Sequence, residues 1–184
     1  MPTAAYALFQ AIAAGDYRVM RYLNHWHAPR WVRIWMLCAT RGGDGWLWYT
    51  MGAVILAFGG DRRLPALGSA ALAVALGIGL FLFLKKKIGR RRPCAFVPHC
   101  WSSILPPDQF SFPSGHTITA FAVAVSLSHF YPGLSVGLFF CASSIAISRV
   151  VLGMHFPTDV LVGALLGSSL AYISVRVLLD LPGW

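Results

Sequence analysis

Charged residues are scarce in this chain of 184 residues: they make up 11% of it, and six of them are acidic. Hydrophobic residues make up 57%, and the mean hydropathy of +0.65 is far from that of soluble domains. The composition therefore predicts one integral membrane domain over residues 1–184. The 15 basic residues do not indicate a nucleic-acid binder, because the chain lacks the wide polar surface that such proteins use. Anionic lipid headgroups, a basic cytoplasmic rim or an anionic substrate remain as explanations.

Two further features are missing from the sequence. The N-terminus has no charged n-region of the kind that opens a signal peptide, so we expect insertion to rely on internal segments. Cys94 and Cys100 are separated by five residues, which is not the CxxC spacing of a zinc site. Together with the many nearby cations, this spacing predicts a protein without a metal or cofactor. The same two cysteines would form a disulfide if their loop meets an oxidising compartment, and two free thiols are the alternative.

Long apolar runs predict an all-α, polytopic membrane protein: a six-helix transmembrane bundle with an interfacial N-terminal helix. The clearest run, residues 64–84, is free of charge and has about the 20 residues that cross a hydrocarbon core. We expect Asp44 to cap the second span. The interfacial helix is expected over residues 4–24, and the spans over 30–40, 46–58, 64–84, 117–130, 134–148 and 157–179.

Alternating helix directions would bring the polar motifs of the chain to one side of the membrane. The third span ends at Lys85, the fourth begins within residues 113–116, the fifth ends at Arg149, and the sixth begins beside His155 and Asp159. Fixed cations and the N–H groups of a helix start both favour an anion. We therefore expect a phosphate site on this side.

Three titrating residues suggest the chemistry of that site. His155 and Asp159 stand four residues apart where a helix begins, so the carboxylate would accept the ring N–H and leave the other nitrogen as a nucleophile. His116 belongs to a different helix and is free to protonate a leaving oxygen. The other basic residues near span ends are interpreted as interface anchors: Lys86, Lys87, Arg90, Arg91, His25, His27, His99 and His129.

Three sequence elements together resemble the signature of the type 2 phosphatidic acid phosphatase family: K-x6-RP at residues 85–93, PSGH at 113–116 and SR-x5-H-x3-D at 148–159. The resemblance implies a six-helix membrane fold and metal-independent dephosphorylation through a phosphohistidine. At the matching positions it implies His155 as nucleophile, Asp159 as its orienting partner and His116 as general acid. The phosphate ligands that it implies are Lys85, Arg92, Ser114, Gly115 and Arg149.

The predicted function is hydrolysis of a membrane lipid phosphate or pyrophosphate, with undecaprenyl pyrophosphate and phosphatidylglycerol phosphate favoured over phosphatidic acid and lipid A phosphate. A lipid phosphotransferase with the same site is the alternative. An anion transporter is disfavoured because the motifs lie at helix ends, not near the midplane. The expected partners are the lipid substrate and the bilayer, with no nucleic acid and no obligate protein partner.

Membrane orientation follows from the number of Lys and Arg residues on each side. Six spans would put both chain termini opposite the site, and the count is then seven on the terminal side against eight on the site side. Setting aside three site cations leaves seven against five. Under the positive-inside rule this predicts a multi-pass protein of the cell inner membrane with its site facing the periplasm or exterior.

Overall fold

The computed structural model describes residues 4–96 and 108–180. Regular structure in these ranges is helical, with one isolated β-bridge between Arg91 and Phe110. This confirms the all-α prediction. The α-helices are α1 (Ala4–His25), α2 (Arg30–Gly42), α3 (Trp46–Phe58), α4 (Arg63–Ile88), α5 (Gly115–Phe130), α6 (Ser135–Val151) and α7 (Pro157–Leu179).

Helix α5 lies at the centre of the bundle and packs against α4, α6 and α7. Small residues line these interfaces, among them Ala70 of α4 and Ala120 and Ala124 of α5. Small side chains let helix backbones approach closely, which strengthens packing in a membrane. The approach is closest at Gly167 of α7, where an added Cβ would stand 2.3 Å from the carbonyl oxygen of Ile118. This close approach brings the first turn of α5 against the middle of α7.

Within residues 4–96 and 108–180, three segments are long and apolar enough to cross a membrane: Gly60–Ile88, Pro132–Val151 and Pro157–Leu179. Helix α3 is apolar but has only 13 residues, and α5 has 16. At a rise of about 1.5 Å per residue, α3 reaches about 20 Å, less than the hydrocarbon core. The prediction of a membrane bundle is thus confirmed, and six full-length spans are not.

Helices α1 and α2 lie at the end of the bundle where α5 and α7 begin. The buried carboxylate of Asp16 in α1 accepts hydrogen bonds from Arg90, just after α4, and from Thr158 in the first turn of α7. Val32 of α2 packs against residues 151–154, between α6 and α7. The prediction had placed the N-terminal helix at the opposite end. The difference arises because a buried carboxylate needs cationic or N–H partners, and Asp16 finds them only here among the described residues.

The start of α3 also differs from the prediction. Its N-cap residue is Gly45, with φ of 119° and no side-chain cap. Asp44 is therefore not a helix cap, and its carboxylate makes no hydrogen bond to the start of α3.

Candidate active site

The predicted motifs meet in a cavity of about 350 Å³ at the end of the bundle where α5 and α7 begin. Six of the eight predicted site residues line it: Lys85, Arg92, Gly115, His116, Arg149 and His155. Ser114 and Asp159 are fully buried next to it. The backbone N–H of Ser114 donates to the carbonyl oxygen of Asp159 at 3.2 Å, so these two residues join the starts of the two helices.

Three cations reach the cavity from separate parts of the chain. Lys85 is in the last turn of α4 and Arg149 in the last turn of α6, while Arg92 follows α4. Nη1 of Arg149 donates to Oγ1 of Thr40 in α2 at 2.6 Å. Its buried Nε has no hydrogen-bond partner within residues 4–96 and 108–180. A buried guanidinium is costly without a counter-charge, so this cavity suits an anion.

His155 lies in the segment between α6 and α7 and is 2% exposed. Its Nδ1 is 2.6 Å from the carbonyl oxygen of Ser111, which can only accept, so Nδ1 carries the hydrogen. Its Nε2 is 3.1 Å from Nη1 of Arg92, which can only donate, so Nε2 carries the lone pair. Burial lowers the pKa of His155 well below its ordinary value, and the positive charges of Arg149 and Arg92 lower it further. The ring is neutral, with its unprotonated Nε2 among the cations.

Asp159 does not accept the ring N–H of His155, because Nδ1 and Oδ2 are 3.8 Å apart. Its carboxylate accepts the backbone N–H of Phe156 at 2.8 Å and so organises the start of α7. The expected hydrogen bond of the His155–Asp159 pair is thus replaced by the bond from His155 to Ser111. A backbone carbonyl supplied by another segment could not be identified from residue spacing.

Arg90 holds the other side of Asp159. Its Nη1 is 2.7 Å from Oδ1 of Asp159, and its Nη2 is 2.6 Å from Oδ2 of Asp16. The interpretation of Arg90 as an interface anchor is therefore wrong, since the guanidinium joins two buried carboxylates. Lys86, Lys87 and Arg91 are exposed, as that interpretation expects.

His116, in the first turn of α5, pairs with Asp44 from the turn between α2 and α3. Nε2 of His116 is 2.8 Å from Oδ1 of Asp44. The adjacent Gly43 lies against the same ring: an added Cβ would be 3.1 Å from Cδ2 of His116 and 2.9 Å from Cγ2 of Ile145. The turn can bring its carboxylate this close because residue 43 has no side chain.

Asp108 lies between two of the cations. Its Oδ2 is 2.5 Å from Nζ of Lys85, and its Oδ1 is 3.0 Å from Nη2 of Arg92. Partial burial alone would raise the pKa of this carboxyl, but the hydrogen bonds and charges of Lys85 and Arg92 bring it below the ordinary value. A single ionised carboxylate is thus shared between two of the predicted phosphate ligands.

Sequence reasoning missed several residues that the fold brings to the site: Thr40, Asp44, Arg90, Asp108 and Ser111. One signal was present, since an aspartate in a chain this apolar is costly without a partner. That argument applies to Asp44 and Asp159 alike.

No group of three or more histidine, cysteine or acidic side chains in the described part of the chain is arranged to hold a metal ion. A site without metal or cofactor stays a prediction.

His25, His27 and His129 are exposed, as expected for interface residues. His99 and Cys100 lie outside the described residues, so the suggested Cys94–Cys100 disulfide also stays a prediction.

Relatives of known activity share this region. The chain is 31% identical over 156 residues to a lipid A 1-phosphatase of Rhizobium johnstonii, with 74% of this chain and 63% of that protein covered. It is 28% identical over 144 residues to an undecaprenyl-diphosphatase of Sulfolobus acidocaldarius, with coverage of 77% and 68%. The chain thus spans just under two thirds of the length of the first of these relatives.

A solved structure and a family profile agree with these similarities. The crystal structure of LpxE from Aquifex aeolicus superposes with a TM-score of 0.68 at 28% identity, covering 87% of this chain and 94% of that one. The profile of the PAP2 superfamily matches residues 66–181, which contain every predicted site residue. With the three signature elements now found in one cavity, the chain belongs to the PAP2 superfamily, as its sequence motifs predicted.

Proposed function

We propose that this protein is an integral membrane phosphatase that hydrolyses a lipid phosphate or pyrophosphate through a phosphohistidine on His155. One observation carries the proposal: a single cavity brings a neutral histidine, a second histidine and three cations together, and one of the cations, Arg149, is buried with an unpartnered Nε. The names of the two relatives, a lipid A phosphatase and a prenyl diphosphatase, support the reaction class.

The proposed reaction has two steps. In the first, Nε2 of His155 attacks phosphorus, the bond from phosphorus to the leaving oxygen breaks, and His116 protonates that oxygen. In the second, His116 takes a proton from water, the resulting hydroxide attacks the phosphohistidine, and free phosphate leaves as His155 is restored. Lys85, Arg92 and Arg149 offset the negative charge of the transferred group, and the N–H of Gly115 donates a hydrogen bond to it.

Ser114 and Asp159 have more limited parts in this mechanism. The hydroxyl oxygen of Ser114 accepts a hydrogen bond from Thr117 at 2.9 Å, which leaves the hydroxyl hydrogen to reach a phosphate. Asp159 supports His155 through the start of α7, one turn away from the ring.

An apolar groove supports a lipid substrate. The groove has a volume of about 530 Å³, lies between α3, α4 and α5, and shares Gly43, Asp44, Ile78 and Thr119 with the cavity. Most of its other lining is aliphatic or small, including Leu67, Ala71, Val74 and Val123. A hydrocarbon chain in this groove would remain in the membrane while its phosphate reaches the cations.

Substrate preference is tested with a panel in mixed micelles: undecaprenyl pyrophosphate, phosphatidylglycerol phosphate, phosphatidic acid, lipid A and the water-soluble para-nitrophenyl phosphate. We propose that undecaprenyl pyrophosphate or phosphatidylglycerol phosphate gives the highest kcat/KM. Free phosphate is measured with and without an acceptor lipid, because a phosphotransferase would release little phosphate and phosphorylate the acceptor. Equal rates on the soluble ester would contradict a lipid enzyme.

The catalytic roles are tested by substitution and chelation. His155→Ala should abolish turnover, and His116→Ala should lower it by about 10² to 10⁴-fold. Asp159→Asn should cost less, because Asp159 does not touch the ring. Activity should persist in EDTA. Near-normal turnover by the His155 variant, or rescue of EDTA-treated enzyme by a divalent cation, would rule out this mechanism.

The placement of α1 and α2 changes the charge count that bears on orientation. Twelve of the 15 Lys and Arg residues now lie at the site end, and three lie at the opposite end: Arg62, Arg63 and Arg176. Setting aside Lys85, Arg90, Arg92 and Arg149, which bind within the site, still leaves eight against three. In place of the periplasm-facing site, we propose a multi-pass inner-membrane protein whose site end faces the cytoplasm.

A further inference from the structure

The pairing of His116 with Asp44 has no counterpart in the roles assigned above. Asp44 stands in a Gly-Gly-Asp-Gly turn, residues 42–45, that belongs to none of the three signature elements. The contact joins residues 72 positions apart. Close packing of Gly43 on the His116 ring shows that the backbone of this turn is fitted to the histidine.

We propose that Asp44 is a positioning residue that makes His116 the general acid of the reaction by holding the hydrogen on its Nε2. Because Nε2 is then committed to the carboxylate, Nδ1 is the nitrogen that delivers a proton to the leaving oxygen and later takes one from water. The proposal rests on the phosphatase function proposed above.

The charges around the cavity explain why a protonated His116 needs a carboxylate partner. A general acid must carry a second proton, yet most charged groups that line the cavity are cations, which oppose a protonated ring. The titratable and charged groups that line the cavity together with His116 are Asp44, Lys85, Arg92, Asp108, Arg149 and His155. Of the two carboxylates in this set, Asp108 is held by Lys85 and Arg92. Asp44 is the carboxylate at hydrogen-bond distance from His116.

The two histidines consequently differ in the partner of one ring nitrogen. His155 donates to a neutral backbone carbonyl, that of Ser111, which fixes its tautomer and stabilises a positive charge less than a carboxylate does. His116 has a carboxylate partner, which stabilises an imidazolium. Because of this difference, the ring of His155 attacks as a neutral nucleophile, and the ring of His116 donates a proton.

The test exploits the leaving group, because a poor leaving group depends on protonation more than a good one. Phosphatidic acid expels an alkoxide, whereas farnesyl pyrophosphate expels a phosphate that needs little protonation. The ratio kcat/KM is measured for both lipids in mixed micelles with the wild type, Asp44→Asn and Asp44→Glu. Asp61→Asn is the matched control, because Asp61 is exposed in the turn before α4.

We expect Asp44→Asn to lose about tenfold or more of kcat/KM on phosphatidic acid, and several times less on farnesyl pyrophosphate. The alkaline limb of its pH profile should move to lower pH, since without the carboxylate the ring gives up its second proton more readily. Asp44→Glu keeps the charge and should retain more activity than the amide. Asp61→Asn should match the wild type.

Several outcomes would overturn the proposal. Equal losses on the two lipids, an unmoved alkaline limb, or Asp44→Asn behaving like Asp61→Asn would each show that Asp44 does not act through the acid. If Asp44→Asn fails to fold in detergent, Asp44→Glu decides: a loss that does not depend on the leaving group contradicts the proposal. A wild type that releases phosphate from no lipid would refute the proposed function itself, which is a distinguishable result.

Discussion

At the scale of single residues, Asp108 occupies two of the cations that we propose as phosphate ligands. Its carboxylate binds both Lys85 and Arg92, and these cations keep it ionised. The position is 37% exposed, so each ion pair is screened by water and is weak.

Removing this charge should strengthen anion binding. For Asp108→Asn we expect inhibition by inorganic phosphate to tighten by about threefold to tenfold, which corresponds to about 0.7–1.4 kcal/mol. The inhibition constant is measured against a lipid substrate, with Asp61→Asn as the control. Weaker phosphate binding in the variant would show that Asp108 instead positions Arg92 for the substrate.

His155 leads to a prediction about pH. In the proposed mechanism the neutral ring is the nucleophile, so the lowered pKa of His155 would keep it active at a lower pH than an ordinary imidazole, whose pKa is about 6.5. The acid limb of kcat/KM should therefore lie below pH 6.5 after correction for ionisation of the substrate. Enzyme held at each pH and assayed at pH 7 controls for unfolding. An acid limb at or above about 6.5 would show that the buried ring is not the attacking group.

At the scale of elements, a buried carboxylate is one of the contacts that attach α1 to the site. Asp16 accepts from Arg90 and from both the N–H and the hydroxyl of Thr158, so the helix is linked to the network that also holds Asp159. An amphipathic pattern predicts a helix, but it does not show which end of a bundle the helix contacts.

Asp16→Ala should loosen α1. Arg90 would keep Asp159 as a partner, so we expect a loss of about 1–3 kcal/mol in stability, less than for a fully isolated buried charge. Thermal unfolding in detergent and hydrogen exchange of α1 measure the effect. Asp180→Ala, in an exposed position just after α7, serves as the control. Unchanged exchange in α1 would show that other contacts hold the helix.

At the scale of the whole molecule, orientation decides which leaflet supplies the substrate. Single cysteines at Lys86, in the site end, and at Asp61, in the opposite end, are placed in a chain without its native cysteines. A membrane-impermeant thiol reagent is added to intact cells after the outer membrane is opened. With the site facing the cytoplasm, Asp61→Cys is labelled and Lys86→Cys is not, whereas lysed cells show both labelled. The reverse pattern would place the site outside.

The sequence alone determined the membrane class, the helical fold and the main contents of the site. Low charge and long apolar runs predict membrane helices because the hydrocarbon core excludes unpaired polar groups. The spacing of the three motifs was sufficient to predict the cavity, since each motif sits at a helix end and neighbouring helices alternate in direction. His155, His116, Lys85, Arg92 and Arg149 meet as that argument requires.

Only the tertiary structure decided which partner each of these groups has. The ring of His155 is oriented by the carbonyl of Ser111, Asp159 is held by Arg90, and His116 faces Asp44. These contacts join residues between 44 and 72 positions apart, so no local periodicity or spacing encodes them. The end of the bundle at which α1 and α2 lie is likewise decided by contacts between residues far apart in the sequence. It depends on where a buried carboxylate finds a cation, and packing of the whole chain settles that.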